Sequence, residues 1–426
     1  MTTQISDDIL EKLQSGVAFE GEDLQDALLE KADITNARLV DCNLGGARLM
    51  GAAFRSGDLS RSVLTGADLR YADFCDATLD SACITAAKLL HAQLDRASLK
   101  KANLRESEIE KTSFHGADLT CCSWLEATLL DVDFSAVRAL EGADFTEADL
   151  DSVFFSGVEM RAVAFCDAHL RLVSYQGAAL NDVDFCGARM TRVAFGQARC
   201  TDLRFREARV VDCIFRDATL ESTDFFACRI ERGDFTKADL RGANFVSCQF
   251  SRETVFRDAV MDGADFRNAN CQNVVLSGST LRGATFGETI LRGADLQRCD
   301  LTGADFRGAN VVGATLRGSN LQRSRCDALD FTDTDLSGAD FSDAQLEGAN
   351  LSGAKLEGAD LRRACLHGAT LSWSGLQTAQ FTADSLVGSH LVYEGPPPLA
   401  ALDCASPCTL DAELAAALVR LSTESA

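Results

Sequence analysis

Between Leu336 and Leu371 a large apolar residue returns at every fifth position: Leu336, Phe341, Leu346, Leu351, Leu356, Leu361, Leu366 and Leu371. Alanine stands two places before most of them, as at Ala339, Ala349 and Ala359. Neither a helix, with about 3.6 residues per turn, nor a flat strand, with a period of about 2, keeps such a row on one side for long. The period is met by a chain that turns a corner every fifth residue, so that the large residue and the small one before it both enter a narrow interior. That is a solenoid, and these Leu, Phe and Ala positions are its expected core.

The same spacing starts at Phe19 and runs to Leu391 with two single-residue slips, one within 135–144 and one within 251–256. Leu140 is an irregular member beside the first. Insertions of this kind map to bulges at corners. In the middle of the chain the fifth positions alternate between aromatic and aliphatic, as in Phe145, Phe155, Phe165, Tyr175, Phe185 and Phe195. If four repeats make one square coil, alternate repeats lie on opposite walls and the aromatics stack in two facing columns.

The four prolines are Pro396, Pro397, Pro398 and Pro407. Their absence before 396 fits a chain that needs its backbone N–H groups for bonds between coils. The expected organisation is an N-terminal capping helix in 1–18, with Ser6 as N-cap and Ile9, Leu10 and Leu13 over the first coil; the repeats in 19–391; a Pro-rich linker in 392–408; and a C-terminal helix and tail in 409–426. The last helix would place Leu410, Leu414, Ala417, Leu418 and Leu421 on one face. That face covers the last coil or serves as a homodimer contact.

A formal charge of -23, from 41 Lys and Arg against 64 Asp and Glu, disfavours direct contact with nucleic acid. It also disfavours an anionic membrane surface. With no signal-like run near Met1 and no long apolar stretch, the expected location is cytoplasmic. The 17 cysteines lack CxxC pairs. Cys42, Cys122, Cys213, Cys228, Cys248 and Cys299 take the small inward slot and Cys200, Cys271 and Cys326 the large one, where a thiol serves as a small hydrophobe. His91, His115, His169, His367 and His390 are isolated from metal-ligand spacing. No catalytic, metal or cofactor residues are expected, and the carboxylates follow the repeat without singling out a pair.

The triplets Ala339-Asp340-Phe341, Ala349-Asn350-Leu351 and Ala359-Asp360-Leu361 give the chain a close resemblance to the pentapeptide repeat family, with its pattern A(D/N)LXX. The resemblance implies an all-β solenoid: a right-handed quadrilateral parallel β-helix with four repeats per coil and short terminal helices. At about 4.8 Å per coil it would form a rod of roughly 85 to 90 Å. Residues twenty apart become vertical neighbours, so Asp300, Asn320, Asp340 and Asp360 form an outward ladder, diluted by Asn and nearby Arg against like-charge repulsion.

The fold class and the missing catalytic motifs lead to a non-catalytic bacterial scaffold that binds another protein, in a secretion-linked or regulatory assembly. The candidate contact is the outward column Cys166, Cys186, Arg206, Phe226 and Val246, whose cysteines are expected to be free thiols. Met50, Leu90 and Leu130 form a smaller patch. The resemblance also implies an alternative, an acidic DNA mimic that binds a type II topoisomerase such as gyrase. Against it, the repeats carry about one net charge per 5 Å of rod, where duplex DNA carries one per about 1.7 Å.

Overall fold

A computed structural model describes residues 7–15, 17–392 and 408–409. The chain divides into two compact units, Met1–Ile214 and Phe215–Ala426. Each is a parallel β-solenoid, and together they make about 19 turns. The coil is read directly from the bridges, which join residues twenty apart in parallel, such as Asp33 with Ala53 in the first unit and Asp300 with Asn320 in the second. Four five-residue repeats therefore complete one coil, giving four walls.

The backbone bonds explain why the repeat has its composition. In most repeats the small inward residue donates its N–H to the preceding central residue, as Ala37 does to the Ile34 carbonyl at 3.0 Å, closing a turn. The residue before the centre donates to the previous coil (Arg48 to Ala27, 2.8 Å), and the centre and second corner residue donate to the next (Leu39 to Asp58, 2.7 Å; Asp26 to Gly45, 2.8 Å). The first corner amide is left over. The Asp or Asn before the centre takes it: Ser60 N–H donates to Asp58 Oδ1 at 3.1 Å, Gln322 to Asn320 Oδ1 at 3.1 Å and Ser342 to Asp340 Oδ1 at 2.9 Å. The Asp/Asn preference is thus a side-chain completion of the backbone network. The second corner residue is left-handed throughout, whether Asn36 at φ 62° or Gly46 at φ 65°.

Large and small inward residues are fully enclosed. Leu336, Phe341, Leu346, Leu351, Leu356 and Leu361, with Ala339, Ala349 and Ala359, are at most 1% exposed. The nine cysteines assigned to inward slots are all buried. Where Ser, Thr or Cys replaces the small Ala, its side chain donates to a central carbonyl one coil back: Ser107 Oγ to Ile84 at 2.6 Å, Thr289 Oγ1 to Phe266 at 2.6 Å, Cys122 Sγ to Leu99 at 2.8 Å. A polar atom is tolerated inside where a carbonyl lies within reach, although the Thr223 hydroxyl in the same slot is buried without a partner.

Both slips fall in the expected windows. In the first unit the bridge spacing passes from Ser113–Asp133 to Asp118–Ala139. Arg138 donates to Ala117 (2.8 Å) while Ala139 accepts from Leu119 (2.9 Å), so two residues share the place of one, a β-bulge. Leu140, 1% exposed, is a regular inward centre. In the second unit the extra residue is Ser251, whose Oγ accepts the Arg232 N–H at 2.9 Å and whose carbonyl starts the next turn with Thr254 (3.0 Å).

The ends depart from the repeat. Helix Asp7–Gln14 forms at the N-terminus, and its Leu13 is fully buried. In the last coil of the second unit the spacing persists but two walls become helical turns, Trp373–Leu376 and Ala383–Leu386. For the second of these the physical reason lies at Asp384, which occupies the small inward slot: a carboxylate cannot enter the apolar interior, and a helical turn leaves it exposed. Cys408–Thr409 pairs antiparallel with His390–Leu391 on the terminal coil, where a linker end and a helix start were expected. The rest of the linker and the C-terminal helix lie outside the described residues.

Candidate protein-binding surfaces

The inward side chains are buried, so the groups open to a partner stand on the walls. In the first unit these are named here by outward residues in chain order: wall 1 carries Asn103 and Asp184, wall 2 Glu108 and Arg189, wall 3 Ser113 and Ala194, wall 4 Asp118 and Arg199.

The two facing aromatic columns are present. In the first unit Phe145, Phe165, Phe185 and Phe205 stack on one side at 4.9 to 5.1 Å. Phe134, Phe155, Tyr175 and Phe195 stack opposite at 4.9 to 5.2 Å. Across the interior the rings meet edge to face, as Phe165 and Tyr175 do at 5.7 Å and 82°. The second unit repeats the arrangement with Phe225, Phe245 and Phe266 stacked at 5.0 and 4.9 Å.

Of the expected contact column, Cys166, Cys186 and Arg206 belong to the first unit and Phe226 and Val246 to the second. All five are first corner residues. Cys166, Cys186, Phe226 and Val246 are half-buried and Arg206 is exposed. Both cysteines are free thiols, and burial with the carboxylate of Asp184 nearby pushes them up to about 11 and about 12. Neither is poised as a nucleophile. The Phe226 amide is held by Asp224 Oδ1 at 3.0 Å and the Val246 amide by Asn244 Oδ1 at 3.1 Å, the ordinary corner arrangement. Met50, Leu90 and Leu130 are likewise half-buried.

A more exposed apolar feature, not singled out from the sequence, lies on wall 3 of the first unit. Phe154 and Ile214 are each 44% exposed, in the place usually held by Asp or Asn. Between them the same column carries Ser174 and Ala194, all four joined by successive bridges. Leu172, 38% exposed, stands at one edge, and the other edge carries Ser156, Gly157, Gln176, Gly177, Gly196 and Gln197. The signal was available: from 154 to 214 Asp survives before the centre only at Asp184, and on wall 3 the position is taken by the uncharged Phe154, Ser174, Ala194 and Ile214.

The carboxylates of the repeats are largely engaged. In the ladder of the second unit Asp300 binds Thr302 and Arg282 (2.6 Å), Asp340 binds Gln322 (2.6 Å), and Asp360 binds Arg362 (2.5 Å). The carboxyls of all three are lowered; for Asp360 the Arg362 guanidinium is the leading cause, whereas for Asp300 and Asp340 hydrogen bonds outweigh burial. The like charges of the ladder are thus offset by Asn320, Gln322 and Arg. Surface hollows, such as one of about 550 Å³ lined by Arg298, Arg317, Ser337 and Glu357, are open and polar. Among the described residues no His, Cys, Asp and Glu group is arranged to hold a metal ion, and no helix is long and apolar enough to cross a membrane.

These walls define a class: a four-walled parallel β-solenoid with its apolar residues turned inward. The sequence matches the family described as Pentapeptide repeats in eight copies, at 15–51, 58–89, 82–122, 220–252, 259–298, 269–308, 299–338 and 339–376. The chain belongs to the pentapeptide repeat family. No curated protein matches it. Among solved structures, a pentapeptide repeat protein of the Arabidopsis thaliana thylakoid lumen is 28% identical, over 28% of this chain and 67% of that one, with a TM-score of 0.17. QnrB1, a plasmid-mediated fluoroquinolone resistance protein, is 21% identical over 47% of this chain and 91% of its own, with a TM-score of 0.23. HetL, involved in heterocyst differentiation regulation in the cyanobacterium Nostoc sp. strain PCC 7120, is 20% identical over 76% and 91%, with a TM-score of 0.12.

Proposed function

We propose that the protein is a non-catalytic scaffold of the cytoplasm that binds another protein, and that wall 3 of its first unit is a seat for that partner. The observation that carries this reading is the uncharged strip from Phe154 to Ile214 on a chain of net charge -23. Where Asp or Asn stands before the centre, as at Asp58, Asn320 and Asp340, it holds the corner amide. To give up that corner bond and expose a phenyl ring is a local cost that contact with an apolar partner would offset. The column through Cys166 and Cys186 offers less, because its apolar groups are already half-buried.

The test is a pull-down from the native host with the wild type and with Phe154→Glu/Ile214→Asp. Loss of a partner from the variant, with its melting temperature unchanged, supports the seat; full retention overturns it. The net charge favours a second reading, the DNA mimic directed at a type II topoisomerase, although many of its carboxylates are held by amides and arginines. A gyrase supercoiling assay separates the two: inhibition or protection by micromolar protein would replace the scaffold reading.

A further inference from the structure

Wall 2 of the first unit is a regular sheet whose strands Glu108–Glu110, Thr128–Leu130, Asp149–Asp151, His169–Arg171, Arg189–Thr191 and Arg209–Val211 pair in parallel, residue opposite residue. Along it the outward residues change sign. The central column reads Glu108, Thr128, Asp149, His169, Arg189, Arg209, all of them exposed. The first corner column reads Glu110, Leu130, Asp151, Arg171, Thr191, Val211, and the second Lys111, Asp131, Ser152, Leu172, Arg192, Asp212.

We propose that this wall is a self-complementary surface through which two copies of the chain pair face to face and antiparallel. A two-fold axis lying in the contact plane, perpendicular to the column direction, sets each column against the same column of the other copy in reverse order. Placed between the coils of Asp149 and His169, it brings Glu108 opposite Arg209, Asp149 opposite His169, Asp151 opposite Arg171, Asp131 opposite Arg192 and Lys111 opposite Asp212. The remaining juxtapositions are Thr128 with Arg189, Leu130 with Thr191, Glu110 with Val211 and Ser152 with Leu172. No like charges meet in these three columns.

The register is selective. Moving the axis by half a coil one way sets Asp149 against its own counterpart; moving it the other way sets Arg171 against Arg171 and Asp131 against Asp212. Both are penalised by like-charge contact. Asp151 and Arg171 already pair within the chain, and the second copy closes them into a ring of four alternating charges. At the edge toward Cys166 the match ends, since Glu147 falls opposite Asp167, so the three columns carry the contact. Because the columns of both copies share the same spacing of about 4.8 Å, a match at one coil holds at the next. Six coils give an area at the low end of specific interfaces, so the dimer is expected to be weak and salt-sensitive. An isologous contact of this kind closes at two copies.

The experiment is sedimentation velocity on the full chain at about 100 µM, well above a micromolar dissociation constant. The wild type should sediment as a dimer of the 45.7 kDa chain at low salt and as a monomer in about 1 M salt, where screening acts within about 3 Å. Arg192→Glu and Asp131→Arg each place like charges twice across the axis and should each weaken the dimer about tenfold or more. Mixed together they should restore it as a heterodimer, since each mutated residue then faces its opposite. That rescue is not expected of misfolded variants. A wild type that stays monomeric, a dimer indifferent to both variants, or a mixture that stays monomeric overturns the proposal. So does a monomer whose Arg189 and Arg192 half instead retains heparin, which would mark a polyanion site.

Discussion

Within the first unit, coils built on leucine, roughly 24–119, can be set against coils built on aromatics, 134–205. The bonds between coils are alike in both, but the corner turn closed by the small residue, as from Ala77 to the Phe74 carbonyl, is made at most corners of the leucine coils and at alternate corners of the aromatic coils, as from Ala168 to Phe165 and Ala188 to Phe185. The pair of inward residues differs as well. In the leucine coils most small slots are alanine, as at Ala77, Ala82, Ala87, Ala92, Ala97 and Ala102, and none is valine. In the aromatic coils valine precedes the rings, as at Val153, Val163, Val173, Val183 and Val193, while alanine still precedes the aliphatic centres, as at Ala168 and Ala188. Flat rings stacked at about 5 Å fill the middle of the coil and leave the corners wanting volume, which valine supplies. The family match omits 123–219, the stretch where alanine gives way to valine, although the coil continues there unchanged. The fold therefore rests on total inward volume per coil rather than on the alanine–leucine pair.

The largest test of that contrast is Phe165→Ala. Phe165 stacks on Phe145 and Phe185 and meets Phe155 and Tyr175 edge-on, so its loss should cost about 3–5 kcal/mol in denaturant unfolding. Leu99→Ala in the leucine coils should cost less, near 2–3 kcal/mol. Equal losses would mean that the ring columns add nothing beyond buried area.

Next in size is a swap of the small residue. Ala97→Val in a leucine coil has no space to fill and should destabilise by about 1–3 kcal/mol. Val173→Ala in an aromatic coil should also destabilise, through a cavity, by about 1–2 kcal/mol. If Ala97→Val were neutral, the volume argument would fail.

Acid should separate the two stretches as well. In the leucine coils the carboxyls of Asp68, Asp73 and Asp118 are lowered. For Asp68 the leading cause is the Arg70 guanidinium. For Asp73 and Asp118 burial acts upward and is outweighed by hydrogen bonds from Cys75, and from Thr120 with Lys100, respectively. A carboxyl lowered in the folded state stabilises it above the unfolded value of about 3.9, and that stability is lost as pH falls through the folded value. In the aromatic coils the carboxyl of Asp184 is lowered too, its burial outweighed by hydrogen bonds from Cys186 and Arg204, and the ring columns add packing that protonation does not remove. Hydrogen exchange below about pH 4 should therefore show amides of 24–119 opening before those of 134–205. The reverse order would show that ring stacking does not hold the coil when the corner carboxylates are neutralised.

Much of this was legible in the sequence. The five-residue period placed Leu336 and its companions inside, located both slips and paired the aromatics across the interior, because a side chain in a solenoid has only two directions to choose from. The binding surface was harder to read. Apolar letters at Cys166, Cys186 and Phe226 look exposed in a repeat diagram, but first corner residues fold back against the next coil and are half-buried. Phe154 and Ile214, before the centre, are 44% exposed and so matter more than the cysteines. The helical turns near Trp373 and Asp384 were missed because spacing was followed while the charge in an inward slot was not.

The smallest effect concerns a residue that breaks the aromatic rule without disturbing it. Tyr175 lies within its column between Phe155 and Phe195, fully buried, and its hydroxyl is one of the few buried polar atoms without a hydrogen-bond partner. Burial pushes that phenol well above its ordinary value, so it stays neutral. Elsewhere an inward hydroxyl reaches a carbonyl from the small slot, as Ser107 does, but a group at the para position of a central ring lies beyond the carbonyls of its own wall. Tyr175→Phe removes the unsatisfied group and keeps both stacks, so it should stabilise the protein by about 1 kcal/mol, read as a raised unfolding midpoint. A destabilised variant would mean that the hydroxyl is satisfied inside the coil, and that the aromatic interior has room for a partner the leucine interior does not.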